Sequence, residues 1–206
     1  MKTVTLLAQV DSSKCNGCRI CVRVCPTLSI EIQNKKAVVD AETCSGCANC
    51  EQRCPEYALI MVKRDVPVTL GVSLEGVDRD QVHGLCTRAR LNPEQLVCYC
   101  TATRAEEVAA AIIQGASTPE EISRATGVRT GCKVECIQPV LRLLEAAGLK
   151  PQPPKGGWQW YGRTVTAWEI PREVRDRYSS RGFYFDEDIK LLDRVVQAKA
   201  EGDDVR

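Results

Sequence analysis

The chain has 206 residues, a length that suits one large domain or a few small ones. Its formal net charge of +1 gives no reason to expect nucleic acid or an anionic membrane as a partner. No run of about 18 apolar residues is present, so the sequence predicts no transmembrane helix. Thirteen cysteines are far more than ordinary core packing uses. The N-terminal apolar run is too short for a signal peptide, so we expect a cytoplasmic protein, where clustered thiols more often bind metal than form disulfides.

Composition divides the chain into four predicted segments. Residues 1–65 carry a repeated cysteine motif, and residues 66–97 form a connector with an extended stretch followed by a helix. Residues 98–149 carry four further cysteines in two close pairs. Residues 150–206 begin with a Pro- and Gly-rich linker, KPQPPKGG, and continue as a C-terminal extension that ends in a predicted helix.

Two short hairpins are predicted in residues 1–65. Apolar and polar residues alternate in SIEIQ and KAVVD on either side of Asn34 and Lys35, a pattern typical of a hairpin. The stretches VTLLAQV, before the first cysteine run, and ALIMVKR, after the second, are predicted to pair as another hairpin. We therefore expect a pseudo-symmetric α+β domain with small helices between the strands.

The cysteine motif occurs twice, as CNGCRICVRVCP at residues 15–26 and as CSGCANCEQRCP at residues 44–55. Three thiolates at positions i, i+3 and i+6 can wrap three iron atoms of a four-iron cluster, and the cysteine before proline completes the other cluster. The spacing predicts two [4Fe–4S] clusters, one held by Cys15, Cys18, Cys21 and Cys54 and the other by Cys44, Cys47, Cys50 and Cys25. Gly17 and Gly46 lie inside the first gap of each run, where a larger side chain would crowd the cluster or the turn.

This segment resembles the bacterial two-cluster ferredoxin family. The alternative is a structural zinc site, but zinc usually takes two well-separated C-x2-C pairs, and the repeated triple motif favours iron. Both runs contain every expected ligand, which indicates clusters that move electrons and do not bind substrate.

Basic residues beside the ligands distinguish this segment from the acidic members of that family. Residues 1–65 contain nine Lys or Arg and seven Asp or Glu. Arg19 and Arg23 are either solvated surface charges or cations that favour the reduced clusters and raise their potentials. In either case the surface favours a fixed subunit over a freely diffusing carrier.

Helix-end signals follow Cys98 and Cys100. Thr103 and Glu106 form a predicted capping box, Gly115 ends that helix, and Thr118 followed by Pro119 starts a second one. Gly127 closes the second helix, and a third is predicted from near Gly131 to Gly148. Cys132 and Cys136 would lie at the start of the third helix, where free N–H groups and partial positive charge favour a thiolate-held cluster.

The C-x-C and C-x3-C pairs, with the words GAST-PEEI and TG-x-x-TGC, resemble the small helical [2Fe–2S] domain of bacterioferritin-associated ferredoxins. Many members end in C-x2-C, whereas this chain has C-x3-C. The resemblance implies one [2Fe–2S] cluster held by Cys98, Cys100, Cys132 and Cys136 in a small all-α domain. A single zinc ion across the two pairs is the alternative.

Other conspicuous residues have structural interpretations. Cys86 is predicted to be a buried, inert thiol, and His83 to be a surface or packed histidine. Trp158, Trp160, Tyr161 and Trp168, with the later Tyr178, Phe183, Tyr184 and Phe185, either pack against the rest of the chain or dock on a partner.

No dinucleotide fingerprint, P-loop or nucleophile elbow is found in the sequence. We therefore expect a non-catalytic electron-transfer subunit of a larger oxidoreductase. The second resemblance implies a partner subunit linked to FAD and NAD(P), and a soluble ferredoxin is a further candidate partner. A free ferredoxin-type carrier or iron-handling protein and a zinc-stapled scaffold are the alternatives.

Overall fold

The computed structural model describes residues 2–132, 135–150, 152 and 162–199. The strands in these described residues are β1 (Lys2–Val10), β2 (Ile30–Gln33), β3 (Lys36–Val39), β4 (Leu59–Leu70), β5 (Leu96–Cys98) and β6 (Thr103–Arg104). The α-helices in the same ranges are α1 (Ile20–Val24), α2 (Asn49–Arg53), α3 (Arg79–Arg88), α4 (Ala105–Ile113), α5 (Pro119–Thr126), α6 (Ile137–Ala146), α7 (Arg172–Ser179) and α8 (Phe185–Gln197). Among these helices, none is both long enough and apolar enough to span a membrane.

Both predicted strand pairings are present. β2 and β3 pair antiparallel around Asn34 and Lys35, whose φ values of 48° and 60° are those of a left-handed two-residue turn. β1 and β4 also pair antiparallel, from Val10 opposite Leu59 to Lys2 opposite Leu70. β4 thus continues through residues 66–70, which the sequence assigned to the connector.

The backbone repeats the pseudo-symmetry of the two cysteine runs. Left-handed residues occur in pairs 29 positions apart, the same interval that separates Cys15 from Cys44. The pairs are Gly17 with Gly46, Arg19 with Ala48, and Leu28 with Tyr57. α1 and α2 each begin directly after one of these residues and end at the cysteine before proline. Each run therefore folds into the same loop–helix–turn unit.

α3, α4, α5 and α6 pack around one apolar core. Val82 and Leu85 of α3, from the predicted connector, are buried in it together with residues of α4 and α6. β5 and β6 form a short ladder beside these helices, so the expectation of an all-α unit is corrected. The two strands pair where the chain reverses its direction between Cys98 and α4.

The predicted helix ends are partly confirmed. Thr118 caps α5, with its Oγ1 accepting from the amide of Glu121, and Gly127 ends the helix at φ 79°. The predicted capping box of Thr103 with Glu106 is wrong, because α4 starts later and Glu107 accepts from the amide of Arg104. Thr103 instead lies buried in β6 and donates to the carbonyl of Thr126.

The third helix also starts later than predicted. α6 begins at Ile137, with Cys136 as its N-cap, so Cys132 lies in the preceding loop. The amide of Arg129 donates to Cys136 Sγ, and the amide of Cys132 donates to Cys100 Sγ, so these backbone groups bond to sulfur and not to helix carbonyls.

The described part of the C-terminal extension contacts the helical core through Trp168. The indole ring lies against the guanidinium groups of Arg90 and Arg142, 5.7 and 5.6 Å from the ring centroid, and its Nε1 donates to Asp193. Trp168 therefore packs against the rest of the chain, which is one of the two roles that the sequence left open for it.

Other aromatic residues of the extension behave differently. Phe183 contacts Tyr178 and Phe185, yet Phe183 and Tyr184 remain 52% and 61% exposed. A docking role for this surface stays a prediction. Trp158, Trp160, Tyr161 and most of the predicted linker lie outside the described residues.

Candidate iron–sulfur sites

The first candidate site, site 1, consists of Cys15, Cys18, Cys21 and Cys54. These four cysteines line one small cavity, whose walls include the apolar side chains of Ile32 and Leu59. The fold of β1 onto β4 and the packing of α1 against α2 bring Cys54 of the second run to three cysteines of the first. Burial raises the pKa of the Cys21 thiol to about 11, so a cation that stabilises the thiolate is needed for this residue to serve as a ligand at neutral pH.

The second candidate site, site 2, consists of Cys25, Cys44, Cys47 and Cys50. Burial raises the pKa of the Cys50 thiol to about 12, and negative charge on the other three cysteines adds to the rise. The other three sulfur atoms therefore lie close enough to Cys50 for their charge to change its pKa. Like site 1, the set joins three cysteines of one run with the pre-proline cysteine of the other.

Backbone amides point at the sulfur atoms of both sites. The amide of Ser29 donates to Cys25 Sγ at 3.2 Å, and the equivalent amide of Ala58 donates to Cys54 Sγ at 3.3 Å. These donors follow the left-handed residues Leu28 and Tyr57, which turn the chain back over the cysteine. Amide donors to thiolate sulfur stabilise negative charge and raise the potential of a bound cluster.

Gly17 and Gly46 are needed for two close approaches of the backbone. A Cβ at Gly17 would lie 2.5 Å from the carbonyl oxygen of Lys35, and one at Gly46 would lie 2.6 Å from that of Leu6. Both residues also have left-handed φ values, 75° and 61°. The β2–β3 turn therefore limits the space at Gly17, and β1 limits the space at Gly46. The sequence had predicted crowding by the cluster or the turn without naming these neighbours.

Gly17→Ala is expected to destabilise the cluster domain more than Gly76→Ala. The two glycines have nearly the same φ, 75° and 76°, but an added Cβ at Gly76 meets nothing within 4 Å. The left-handed conformation alone costs alanine about 1 kcal/mol, and the contact with Lys35 should bring the loss at Gly17 to about 3 kcal/mol. Anaerobic denaturant titration followed by cluster absorbance measures both. Equal losses for the two variants would contradict the steric argument.

The third candidate site, site 3, consists of Cys98, Cys100, Cys132 and Cys136. Cys98, at the end of β5, and Cys136, at the start of α6, are buried, whereas Cys100 and Cys132 are exposed. The amide of Cys132 donates to Cys100 Sγ at 3.4 Å. The two pairs thus meet although about thirty residues separate them in the sequence.

The buried half of site 3 consists of Cys98 and Cys136, whose thiol groups interact with each other. The Cys136 thiol donates to Cys98, which lowers the pKa of Cys98 and raises that of Cys136. The amide of Arg129 also donates to Cys136 Sγ, at 3.2 Å. Because a metal ligand must be deprotonated, the lowered pKa of Cys98 favours its thiolate form for binding a cluster.

Arg129 and Glu120 are supporting residues that the sequence did not indicate. Arg129 Nη1 lies 3.0 Å from Glu120 Oε1, and both side chains are buried. The backbone of Arg129 is left-handed, at φ 65°, and its amide points at Cys136. A basic residue in a loop predicts only a solvated charge, so no local signal could have identified this role.

Cys86 and His83 are placed as expected. Cys86 is fully buried in the helical core, and burial raises the pKa of its thiol to about 12. His83 lies exposed on α3. Among the described residues, no three His, Cys, Asp or Glu side chains converge closely enough to hold a single metal ion.

Two parts of the chain match known families. Residues 10–58 match the 4Fe-4S dicluster domain, and residues 96–146 match the BFD-like [2Fe-2S] binding domain. No curated protein and no solved structure matches the chain. All cysteines of sites 1 and 2 fall in the first matched range, and those of site 3 fall in the second.

The chain thus contains a 4Fe-4S dicluster domain and a BFD-like [2Fe-2S] binding domain, which implies electron transfer. The residues present fit such groups. Each site offers four thiols and at least one backbone N–H donor aimed at sulfur, and nine of the twelve thiols are buried or half-buried.

Proposed function

We propose that the protein is a non-catalytic electron-transfer subunit of a multi-subunit oxidoreductase. It would carry two [4Fe–4S] clusters at sites 1 and 2 and one [2Fe–2S] cluster at site 3. These clusters would relay electrons between a catalytic, flavin-containing subunit and another redox partner. The observation that carries the proposal is the cavity of site 1, because it unites Cys54 with three cysteines of the other run.

The clusters supply one-electron transfer, and the chain's own residues hold and insulate them. Four cysteines at each site can occupy every coordination position that the protein must fill, so no position is reserved for substrate. The apolar side chains of Ile32 and Leu59 shield part of site 1 from water. Amide donors such as those of Ser29 and Ala58 offset the anionic charge that each reduction adds.

Exposed residues at sites 1 and 3 support contact with two different partners. Cys18 of site 1 is exposed, and Tyr57, three residues after Cys54, is 80% exposed. At site 3 Cys100 is exposed, and Tyr99 before it is 74% exposed. We propose that a subunit linked to FAD or NAD(P) and a second carrier, such as a soluble ferredoxin, approach these two places.

Metal analysis of anaerobically purified protein tests the cluster content. We expect brown protein with about ten irons and a similar amount of acid-labile sulfide per chain, the content of two four-iron clusters and one two-iron cluster. Reduction should produce EPR signals from both cluster types. Protein that contains zinc and lacks acid-labile sulfide would overturn the proposal in favour of a zinc-stapled scaffold.

Co-purification from the native host tests the subunit role. The expected result is a stable complex in which mass spectrometry identifies a flavoprotein subunit. Recovery of the iron-loaded chain alone, as a monomer, would instead support a free ferredoxin-type carrier. The two outcomes share the same clusters and differ only in the assembly, so the result is independent of the metal analysis.

A further inference from the structure

Lys2 lies between the dicluster domain and the helical domain. Its Nζ donates to Thr130 Oγ1 at 2.7 Å and to the carbonyl oxygen of Ser45 at 3.3 Å. Ser45 stands between two cysteines of site 2 in the sequence. Thr130 precedes Gly131, which lies against Cys100 of site 3. One half-buried ammonium group therefore touches the loops of two different cluster sites.

A second hydrogen bond joins the helical domain to the part of the dicluster domain beside site 2. Arg124 of α5 donates through Nε to the carbonyl oxygen of Thr27 at 2.7 Å. Thr27 is fully buried, and its Oγ1 lies 3.5 Å from the sulfur of Cys25, a site 2 cysteine. The Lys2–Thr130 and Arg124–Thr27 hydrogen bonds thus both join the helical domain to the dicluster domain beside site 2.

The side chain of Lys2 packs beside the turn at Gly127, which ends α5. Gly127 has a φ of 79°, and a Cβ there would lie 3.5 Å from Lys2 Cδ and 3.5 Å from Thr101 Cγ2, which is ordinary van der Waals contact. The aliphatic part of Lys2 therefore passes close over the end of α5, next to the loop that carries Cys100.

The ammonium group is electrostatically shared between the two sites. Burial lowers the pKa of Lys2, whereas negative charge on Cys47, Cys98, Cys100 and Cys44 acts in the opposite direction. Two of these cysteines belong to site 2 and two belong to site 3. An anionic cluster at either site therefore favours the charged form of Lys2.

We propose that Lys2 is a charge-tuning residue at a junction between sites 2 and 3, and that electrons pass across this junction. The order of the clusters is then site 1, site 2, site 3. The step moves one electron: the cluster at one site is oxidised as the cluster at the other is reduced, and no bond forms or breaks. The inference rests on the proposed function only in requiring that clusters occupy these sites.

The charge of Lys2 should stabilise the reduced clusters of both sites. Each reduction adds one negative charge, and a cation held within a few ångströms of the loops lowers the energy of that charge. The effect falls off with distance and is screened by solvent. Site 1, from which no cysteine interacts with Lys2 among the described contacts, should respond little.

An EPR-monitored redox titration of the full-length Lys2→Gln variant tests the proposal. At the wild-type midpoints, the ratio of reduced to oxidised cluster should fall about tenfold at sites 2 and 3, or about 59 mV for a one-electron couple. The site 1 midpoint should not move. Lys2→Arg should retain the wild-type midpoints, and so should Lys63→Gln, which removes an exposed lysine from the partner strand of β1.

The outcomes separate this inference from the proposed function. Iron-loaded Lys2→Gln protein in which neither midpoint moves, or only one of the two, would overturn the shared junction. Protein without iron would overturn the proposed function instead. A second measurement needs no variant: the EPR signals of sites 2 and 3 in fully reduced wild-type protein should show magnetic interaction, and independent signals would also overturn the junction.

Discussion

Cys54→Ser is expected to remove the same cluster as Cys18→Ser, although Cys54 belongs to the other cysteine run. Each variant should lose about four irons per chain and the same reduced-state EPR signal. The reason is that the chain fold places Cys54 in the cavity with Cys15, Cys18 and Cys21. Serine is nearly isosteric with cysteine but is a poor ligand for iron, so the change removes the ligand with little change of shape.

Cys25→Ser and Cys47→Ser provide the matched pair at site 2. Both should lose the other [4Fe–4S] signal and keep the one that Cys54→Ser abolishes. The four variants would then form two classes, each containing one cysteine from each run of the sequence. If Cys54→Ser and Cys47→Ser lose the same signal, each run ligates its own cluster and the crossed assignment is wrong. The same four variants assign the EPR signals needed for the Lys2 titration.

Gly131→Ala is expected to abolish the [2Fe–2S] cluster and leave both [4Fe–4S] clusters in place. A Cβ at position 131 would lie 2.5 Å from Cys100 Cβ and 2.7 Å from Cys100 Sγ, closer than real Cβ contacts allow. Gly131 does not have a left-handed φ, so the effect is steric and not conformational. The exposed C-x-C loop must therefore move away. The Cys100 thiol then loses the hydrogen bond that it accepts from the amide of Cys132.

The expected loss is about two irons per chain, with the [2Fe–2S] EPR signal absent and the [4Fe–4S] signals unchanged. Gly162→Ala is the control, because an added Cβ there meets nothing within 4 Å and the residue likewise lacks a left-handed φ. Circular dichroism distinguishes a local loss from unfolding of the helical domain. Full iron content in Gly131→Ala would show that site 3 tolerates the displacement of Cys100, which contradicts its close geometry.

Local sequence patterns determined the elements of the fold. The turn at Asn34 and Lys35, the caps of α5 at Thr118 and Gly127 and the terminal helix α8 all follow from neighbours within a few residues. The cysteine spacing likewise predicted the two [4Fe–4S] clusters, because ligand separation along the chain limits which cluster a loop can wrap, whereas the [2Fe–2S] cluster was implied by a family resemblance. At α4 the predicted helix start at Thr103 was wrong by one residue, because Thr103 is buried in β6 and donates to the carbonyl of Thr126.

The sequence by itself therefore predicted which cysteines would bind iron, and it predicted the hairpins and helices that carry them. Only the tertiary structure showed that Glu120 and Arg129 support Cys136 and that Lys2 stands between two sites. Lys2 and Thr130 are 128 residues apart, and a lone lysine at the first residue of a strand predicts nothing about its partner. The physical reason is that ligand spacing is a short-range constraint on the chain, whereas charge placement between domains depends on how separately folded surfaces pack.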